Sequence, residues 1–296
     1  MELTVLTPTY NRAYTIENLY KSLKQQTQKD FEWLVVDDGS TDETKQLVQK
    51  YAEESDFSIR YIYKENGGKH TALNAGIKEI DSELTFIVDS DDSLSSNAIE
   101  TISSYHKKYS NDKSICGYSF LRLYPDGKVN GRYFMKDEWI TSLIDARINS
   151  DDASSDKAEI YKTAVLKEYP FPEYPGEKFL GEDIVWIRIA KKFKMVHVNK
   201  GIYIGDYLGE GLTQNRRLHN INSPIGCMNR AKEFLCKEIR LKYRIKAAVQ
   251  YIVYGKYSNA SIHELIENTD EQLLVIAMII PGNILYMLWK LKYRDK

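Results

Sequence analysis

Polar and acidic side chains follow three apolar segments that have the composition of β-strands. These segments lead into the sequences TPTYNR at residues 7–12, DDGSTD at 37–42 and DSDD at 89–92. Ligands of open α/β sheets bind outside the carboxyl ends of the strands. The sequence therefore predicts that one edge of a sheet carries hydrogen-bond acceptors, a turn and a cluster of carboxylates.

The cluster Asp89-Ser90-Asp91-Asp92 is a candidate cation site. Neighbouring carboxylates raise one another's pKa unless a cation neutralises their charge. Mg²⁺ and Mn²⁺ usually take one or two protein carboxylates and complete their shells with water and phosphate oxygens, so a nucleoside diphosphate is the expected ligand. Taken alone, the same residues also fit a solvated loop with a helix cap, and DDGSTD alone also fits a turn with an N-cap at Ser40 or Thr41.

Apolar strands and amphipathic helices alternate along the first 113 residues, which is typical of a mainly parallel sheet flanked by helices. Strands are predicted at 2–6, 31–36, 58–63 and 84–88. Helices are predicted at 14–26, from about residue 41, and at 69–80. The segments 115–124 and 129–134 flank Pro125-Asp126-Gly127 and predict a β-hairpin, so we expect a mixed sheet.

The C-terminal part has a different pattern, helical and basic from about residue 221. Residues 273–289 are nearly all apolar, are interrupted by Pro281-Gly282-Asn283, and are followed by four cations, Lys290, Lys292, Arg294 and Lys296. This pattern favours a helical hairpin lying on an anionic membrane leaflet over a spanning helix. A helix docked on the rest of the protein is an equally good interpretation. We expect one domain at 1–215 and a C-terminal helical region at 216–296.

Composition excludes some classes of protein. Lys and Arg number 41 against 42 for Asp and Glu in the 296 residues, which argues against a dedicated nucleic-acid binder. The three cysteines are odd in number and far apart, as expected for reduced thiols in the cytoplasm. The N-terminal sequence lacks the basic and apolar regions of a secretory signal, which also indicates a cytoplasmic location.

The order of the motifs TPTYNR, DDGSTD, NGGKHTALN, DSDD and GED resembles that of the inverting, non-processive glycosyltransferases of family 2, which have a GT-A fold. The resemblance covers about residues 1–215. It implies that residues 1–215 bind a nucleotide sugar and carry the catalytic site. It also implies transfer of one sugar, of the hexosyl type, from a UDP-sugar to an acceptor hydroxyl with inversion, and Mn²⁺ or Mg²⁺ as cofactor.

By analogy with the family, the acceptor is a glycan, favoured to be a lipid-linked oligosaccharide in the synthesis of a surface polysaccharide such as a capsule. An enzyme of this kind is expected on the inner face of the cell membrane. The Gln/Arg-x-x-Arg-Trp signature of processive synthases is absent around all four tryptophans, which disfavours processive synthesis.

Matching positions imply roles in donor binding. The residues for the base and ribose are Pro8, Tyr10 and Arg12, with Asp38 accepting a hydrogen bond from the base. The residues for the rest of the donor are Asn66 beside the nucleotide, Lys69 at the diphosphate, Asp89 near the ribose and metal, and Asp91 as the direct metal ligand. An ordinary helix lysine is the alternative interpretation of Lys69, and Asp92 is either an indirect acceptor or a helix cap.

The segment Gly181-Glu182-Asp183 resembles the acidic motif on the acceptor side of the family's site. The resemblance implies that Asp183 is the general base and that Glu182 orients the acceptor or the base, with an exchange of these roles left open. Neutralisation of a helix N-terminus by both carboxylates is the alternative. Residues 207–213 resemble the segment that closes the site, with Arg216, Arg217 or His219 available near the diphosphate. His219 is either a third metal ligand or an ordinary surface residue.

Two other functions compete with this interpretation. A catalytically silent module that binds a nucleotide sugar and regulates a partner would carry the same donor motifs. A nucleotidyltransferase would also use a nucleotide and a metal, but it is expected to carry a glycine-rich basic loop near the start of the chain, and TPTYNR is not such a loop.

Overall fold

A mixed β-sheet organises the first part of the chain in the computed structural model, which describes residues 2–153, 155–205 and 216–293. Among these residues the sheet has nine strands in the order β3-β2-β1-β4-β8-β6-β9-β5, with β7 pairing to β9. The strands are β1 (Leu3–Thr9), β2 (Phe31–Asp37), β3 (Ser58–Tyr63), β4 (Leu84–Ile87), β5 (Ser93–Leu94), β6 (Ile115–Leu123), β7 (Trp139–Thr141), β8 (Lys157–Lys162) and β9 (Lys194–Ile204).

Parallel pairing joins β1 to β2 and β4, β2 to β3, and β6 to β9, whereas β8 is antiparallel to both of its neighbours. The predicted mixed, mainly parallel sheet is therefore confirmed. Nearly every residue of β1 and β2 is buried, because helices cover both faces of a parallel sheet. The four parallel strands β3, β2, β1 and β4 end at the same edge, where the sequence places its polar motifs.

The three helices predicted between the first strands are present, with shifts of a few residues at their ends, and further helices follow them. The helices are α1 (Ile16–Lys24), α2 (Thr44–Glu54), α3 (Lys69–Glu79), α4 (Ala98–Tyr109) and α5 (Thr163–Glu168), with a π-helical turn at Ile144–Ile148. The apolar stripe of α1, formed by Ile16, Leu19, Tyr20 and Leu23, is buried in the core of the sheet.

The predicted hairpin at 115–134 is wrong in its second half. The turn forms, since Tyr124 and Lys128 share a backbone hydrogen bond and the N–H of Asn130 donates to the carbonyl of Arg122. The two segments share one isolated β-bridge, between Leu123 and Val129. No strand runs over 129–134 in the described structure. The reason is that β6 already has β8 and β9 as neighbours, so its edges are taken.

The chain divides into two units. The first comprises Met1–Pro170 and Lys192–Asp206, and the second comprises Phe171–Lys191 and Tyr207–Lys296. Residues 171–191, placed in the first domain by the sequence analysis, thus group with the C-terminal helices. The catalytic and helical domain assignments themselves stay predictions.

The second unit is helical. Its helices are α6 (Asp183–Ala190), α7 (Arg216–Asn222), α8 (Pro224–Glu233), α9 (Leu241–Tyr257), α10 (Ile262–Glu267), α11 (Gln272–Ala277) and α12 (Ile279–Lys292). The buried face of α9, which includes Ala248, Tyr251 and Ile252, forms a core with side chains of α8, α10 and α11. Among the described residues, no helix combines the length and apolar character that crossing a bilayer requires.

Candidate active site

Strand register aligns the first three candidate loops of the first unit. Thr9 is paired with Asp37, and Asp37 with Tyr63, so β1, β2 and β3 end level with one another. Hydrogen bonds continue beyond the strands, from the N–H of Asp38 to the carbonyl of Thr9 and from the N–H of Lys64 to the carbonyl of Asp37. The loops 10–12, 38–42 and 64–68 consequently lie side by side.

Side chains of the DDGSTD loop hold the TPTYNR loop in place. The N–H of Asn11 donates to Ser40 Oγ at 2.8 Å, and the N–H of Thr41 donates back to Asn11 Oδ1 at 2.8 Å. The N–H of Ala13 donates to Asp42 Oδ2 at 3.0 Å. The predicted N-cap role of Ser40 or Thr41 is therefore wrong, since α2 begins at Thr44 and these side chains bind the neighbouring loop instead.

Asp38 is buried and surrounded by donors from the next loop. Its Oδ1 accepts hydrogen bonds from Lys64 Nζ at 2.7 Å and the N–H of Gly67 at 2.9 Å. Its Oδ2 accepts one from the N–H of Gly68 at 2.7 Å. Asn66, the other candidate here, donates from Nδ2 to the carbonyl of Asp38 at 2.9 Å. Asp38 thus organises the 64–68 loop, and its predicted bond to a base stays a prediction.

Gly39 allows the second and third loops to approach each other. Its φ of +87° lies in the left-handed region, and a Cβ there would stand 2.8 Å from the backbone nitrogen of Asn66. Any other residue would therefore be strained and would also push the two loops apart.

Asp89, Asp91 and Asp92 come together at the end of β4. One carboxylate oxygen from each lies within 4.8 Å of the others. Lys69 Nζ, at the start of α3, lies 2.6 Å from Asp89 Oδ1, and Arg12 Nη1 lies 4.0 Å from Asp91 Oδ2. The structure thus brings four predicted site residues, Arg12, Lys69, Asp89 and Asp91, into one cluster.

Asp92 is buried behind the other two carboxylates. Arg122 of β6 donates to its Oδ1 at 3.0 Å, and the hydroxyl of Tyr203 of β9 donates to its Oδ2 at 2.7 Å. The same hydroxyl accepts the N–H of Asp89 at 3.1 Å. Gly205 lies so close that a Cβ would stand 1.8 Å from Asp92 Oδ1. Asp92 is therefore a buried anchor of the cluster, rather than a helix cap.

Sequence reasoning missed Arg122 and Tyr203. A signal for Arg122 existed, because an arginine inside the apolar strand Phe120-Leu121-Arg122-Leu123 is rarely buried without an acidic partner. Nothing in the sequence marked Tyr203 among the many tyrosines of this chain. Lys64, which pairs with Asp38, was also missed because it lies outside the motifs.

The pKa values of the cluster reflect burial and mutual repulsion. Burial and the charge of Asp89 raise the pKa of Asp92 to about 7, against the opposing charge of Arg122. The same two causes raise the pKa of Asp91. Burial acts in the same direction on Asp89, but Lys69 outweighs it and lowers the pKa of that carboxyl. The positive charges near Asp91 therefore do not offset burial and the repulsion from Asp89.

The remaining donor-site candidates lie at the end of β1. Tyr10 is 48% exposed, so part of its side chain is accessible to a ligand. Pro8 is a buried residue within β1, in register with Val36. The guanidinium of Arg12 also donates to Tyr14 Oη at 2.7 Å. The roles of Pro8, Tyr10 and Arg12 at a base and ribose stay predictions.

The GED motif lies in the second unit, where Asp183 is the first residue of α6 and Glu182 precedes it. Both carboxylates therefore stand at a helix N-terminus, as the sequence predicted. Arg230 of α8 binds both oxygens of Asp183 through Nε and Nη2. Burial raises the pKa of Asp183, but the charge and hydrogen bonds of Arg230 outweigh it and lower the pKa.

Other candidates of the second unit have aromatic partners. His219 stacks on Phe179, with ring centroids 5.8 Å apart, and the guanidinium of Arg217 lies 3.8 Å from the ring centroid of Trp289. Arg216 begins α7 and is exposed. The segment 207–213, predicted to close the site, lies outside the described residues.

Comparison with known proteins gives the family. The model of glycosyl transferase family 2 matches residues 4–159, more than half of the chain. The chain belongs to glycosyl transferase family 2. The described fold agrees, since the crystal structure of residues 1–349 of TarS from Staphylococcus aureus in complex with UDP-GlcNAc matches this family 2 chain with a TM-score of 0.62. That alignment covers 100% of this chain and 92% of the other at 20% identity, and it shows the GT-A fold.

Curated relatives share part of their length with this family 2 chain. The teichoic acid poly(glycerol phosphate) polymerase of Staphylococcus epidermidis is 32% identical over 150 residues, which are 48% of this chain and 20% of the relative. The GalNAc(5)-diNAcBac-PP-undecaprenol beta-1,3-glucosyltransferase of Campylobacter jejuni is 36% identical over 103 residues, which are 34% of this chain and 33% of the relative. The chain thus spans a third or less of the length of these two relatives.

The donors around Asp38 lead to a stability prediction. We expect Asp38→Asn to lower the free energy of unfolding by about 1–3 kcal/mol, because the new NH₂ group would face the N–H groups of Gly67 and Gly68 or the Lys64 ammonium. Urea denaturation followed by circular dichroism measures the loss. Asp126→Asn, in an exposed turn, is the matched control and should leave the midpoint nearly unchanged. Equal stability of Asp38→Asn and the wild type would contradict this account of the loop.

Proposed function

We propose that this chain transfers one sugar from a UDP-sugar to an acceptor hydroxyl with inversion, in a reaction that depends on a divalent cation. The observation that carries the proposal is the cluster of Asp89, Asp91 and Asp92 within 4.8 Å of one another, flanked by Lys69 and Arg12, in a family 2 chain. Carboxylates and cations together suit a metal-bound diphosphate, since the metal binds carboxylate oxygens and the cations bind phosphate oxygens.

The donor set of the cluster fits Mn²⁺ or Mg²⁺. Asp91 and Asp89 would hold the ion, because both are half-buried hard oxygen ligands, whereas both oxygens of Asp92 are engaged by Arg122 and Tyr203. The repulsion that raises the pKa of Asp91 would be relieved by added positive charge. Bound there, the ion would neutralise the charge that develops on the departing diphosphate.

Residues of the strand ends would hold the UDP part of the donor. The exposed aromatic side chain of Tyr10 suits stacking on a base, and Lys69 and Arg12 are close enough to the carboxylates to contact a diphosphate bound beside them. The UDP-GlcNAc named for the TarS structure supports a UDP-sugar as donor. Lys69 would exchange its contact with Asp89 for phosphate oxygens when the donor binds.

Asp183 would act as the general base for the acceptor. A hydroxyl is a weak nucleophile until its proton is removed, while the anomeric carbon gains positive charge as the bond to UDP breaks. Attack from the face opposite the departing UDP inverts the anomeric centre. Glu182, directly before Asp183, would orient the acceptor.

The acceptor is proposed to be a lipid-linked glycan at the inner face of the cell membrane. The Campylobacter relative, whose name specifies a PP-undecaprenol-linked glycan, supports an acceptor of this class. The reaction would then belong to the synthesis of a surface polysaccharide. The first unit carries the donor site, and the helices of the second unit are proposed to face the membrane.

A donor screen tests the first part of this proposal. We expect UDP-sugars to raise the melting temperature only when MnCl₂ or MgCl₂ is present, and to be slowly hydrolysed to UDP. Asp91→Asn should weaken donor binding at least about 10-fold, because it removes a charged metal ligand. Asp126→Asn should bind like the wild type.

Two results of the screen would contradict the proposal. Full stabilisation by UDP-sugars in EDTA would exclude the metal, and stabilisation by other nucleotide sugars but not by UDP-sugars would exclude the proposed donor. Metal-dependent donor binding with no hydrolysis and no transfer to any supplied acceptor would instead favour the catalytically silent module.

A second prediction concerns Asp183. We expect Asp183→Asn to retain donor binding within about twofold and to lose transfer by at least about 10²-fold, because the amide cannot accept the hydroxyl proton. Isothermal titration measures the first quantity and release of UDP in the presence of acceptor measures the second. Lys178→Gln, an exposed change in the same unit, should alter neither. Turnover of Asp183→Asn at the wild-type rate would rule out the proposed base.

A further inference from the structure

An apolar face of helices α11 and α12 is exposed in the described structure. Leu273 is 84% exposed, and Ile280 and Leu291 are each 72% exposed. The other large apolar side chains of this face are Ile276, Ile284, Met287 and Leu288. Single exposed apolar residues are ordinary on a protein surface, but seven on one pair of consecutive helices form a patch of the kind that marks an interaction site.

The spacing shows that these residues share one face of the helices. Successive members lie three or four positions apart from 273 to 291, apart from the adjacent pair 287 and 288, which is the repeat of an α-helical stripe. The opposite face packs on α9. Tyr286 contacts the ring of Tyr257, Trp289 contacts that of Tyr254, and a Cβ on Gly282 would stand 2.7 Å from Ile252. The exposed stripe is thus the outer side of a helix that is already docked.

Charge distinguishes this stripe from an ordinary interface. No Asp or Glu occurs between Gln272 and Tyr293, whereas Lys290 and Lys292 are exposed at its C-terminal end. Two further exposed apolar residues, Leu241 and Ile245, begin α9 among basic side chains. These neighbours are Arg240, Lys242 and Lys246. Exposed apolar side chains with Lys290 and Lys292 at their C-terminal end complement a surface that offers acyl chains below a layer of phosphates.

We propose that the stripe formed by Leu273, Ile276, Ile280, Ile284, Met287, Leu288 and Leu291 docks the second unit on an anionic lipid bilayer. The helix lies along the bilayer surface, with its apolar side chains between the acyl chains and with Lys290 and Lys292 reaching the phosphates.

A second copy of the chain is the competing occupant, and it fits less well. If two such stripes paired in antiparallel fashion, the carboxylates nearest to Lys290 and Lys292 would be Asp270 and Glu271, just before the stripe, and Glu271 already pairs with Arg244 at 2.9 Å. An anionic leaflet supplies a phosphate for each of the two lysines. The proposal deepens the proposed function, because a lipid-linked acceptor lies in such a membrane, but its test needs no activity.

Flotation with liposomes tests the docking surface on the full chain. With vesicles of phosphatidylcholine and phosphatidylglycerol at 7:3, we expect most of the protein to float, and at least about fivefold less with phosphatidylcholine alone or in 0.5 M NaCl. The double variant Ile280→Gln and Leu288→Gln should lose flotation on both vesicles. Lys290→Gln with Lys292→Gln should lose only the preference for the anionic lipid.

Matched controls keep this result interpretable. Met135 and Tyr133 are 73% and 66% exposed in the first unit, so Met135→Gln with Tyr133→Gln removes as much exposed apolar surface elsewhere and should float like the wild type. Unchanged melting temperatures show that the variants are folded. Flotation of the stripe variant at the wild-type level, or a lipid-free dimer that sediments as such and does not float, would overturn the proposal.

The contact between Arg230 and Asp183 carries a second, independent inference. The planar guanidinium binds both carboxylate oxygens, which fixes the orientation of the carboxylate as well as its charge. Gly181 of the same motif makes room for this contact, because a Cβ there would stand 2.9 Å from both Cδ and Nε of Arg230. The ring of Phe234, 5.2 Å from the guanidinium carbon, supports Arg230 from the other side.

We infer that Arg230 is a positioning residue that holds Asp183 ionised and oriented to accept the proton of the acceptor hydroxyl. The fork uses one lone pair of each oxygen, so each oxygen retains a second lone pair for a proton. The other ionisable groups near Asp183 are Arg216 of α7, Cys227 of α8 and the adjacent Glu182. Arg216 assists Arg230 in lowering the pKa of Asp183, and burial opposes both.

The pH profile of kcat/KM tests this inference, which rests on the proposed function. Because Asp183 must be ionised to act as a base, loss of Arg230 should move the acidic limb to higher pH. We expect a shift of at least one pH unit in Arg230→Gln and a smaller shift in Arg230→Lys, which keeps the charge but not the fork. Gly181→Ala should act in the same direction, since its Cβ displaces Arg230.

Controls separate this inference from the base assignment. Arg188→Gln breaks a comparable ion pair with Glu233 in the same unit and should leave the acidic limb in place. If Asp183→Asn keeps its activity, the base assignment fails. If Asp183→Asn is inactive while Arg230→Gln retains the wild-type limb, only the role of Arg230 fails. Carbon-13 NMR of labelled aspartate, assigned with Asp183→Asn, provides the pKa of Asp183 without turnover.

Discussion

Mutual repulsion among Asp89, Asp91 and Asp92 is the constraint on which the first unit depends. Three carboxylates within 4.8 Å of one another remain together only because cations and donors from separate parts of the fold face them. Lys69 comes from α3 and Arg12 from the loop after β1. Partners from β6 and β9 hold the buried member of the cluster. Elements that are far apart in the sequence are thus needed to keep one small acidic site assembled.

Burial separates the three carboxylates into two roles. Asp92 is enclosed, and its bonds to Arg122 and Tyr203 leave it as a structural anchor. Asp89 and Asp91 remain partly exposed, and at Asp91 the nearby cations do not offset burial and the repulsion from Asp89. A cluster in which Asp92 is held by the protein, while Asp89 and Asp91 are partly exposed, suits a ligand that brings its own cation. The proposed metal-bound nucleotide sugar is a ligand of this kind.

In the second unit, an arginine guanidinium again determines the ionisation of a carboxylate in an acidic motif. Burial alone would favour the protonated form of Asp183, and Arg230 reverses that preference through charge and two hydrogen bonds. Gly181 is part of this arrangement, since its missing side chain leaves the space that Arg230 occupies. The same unit carries the apolar stripe of α11 and α12, so its helices combine a proposed catalytic group with a proposed membrane surface.

The sequence by itself determined the alternation of strands and helices, the mixed sheet and the acidic ends of the strands, because hydrophobic periodicity and turn residues act over a few positions. Only the tertiary structure decided which side chains meet. Arg122 binds Asp92 across 30 residues and Tyr203 binds it across 111, and neither pairing leaves a local pattern. Ser40 and Thr41 were predicted as helix caps but bind Asn11, and the strand predicted at 129–134 has no free edge to join. Such outcomes depend on which strands become neighbours, and that choice is made by the packing of the whole sheet.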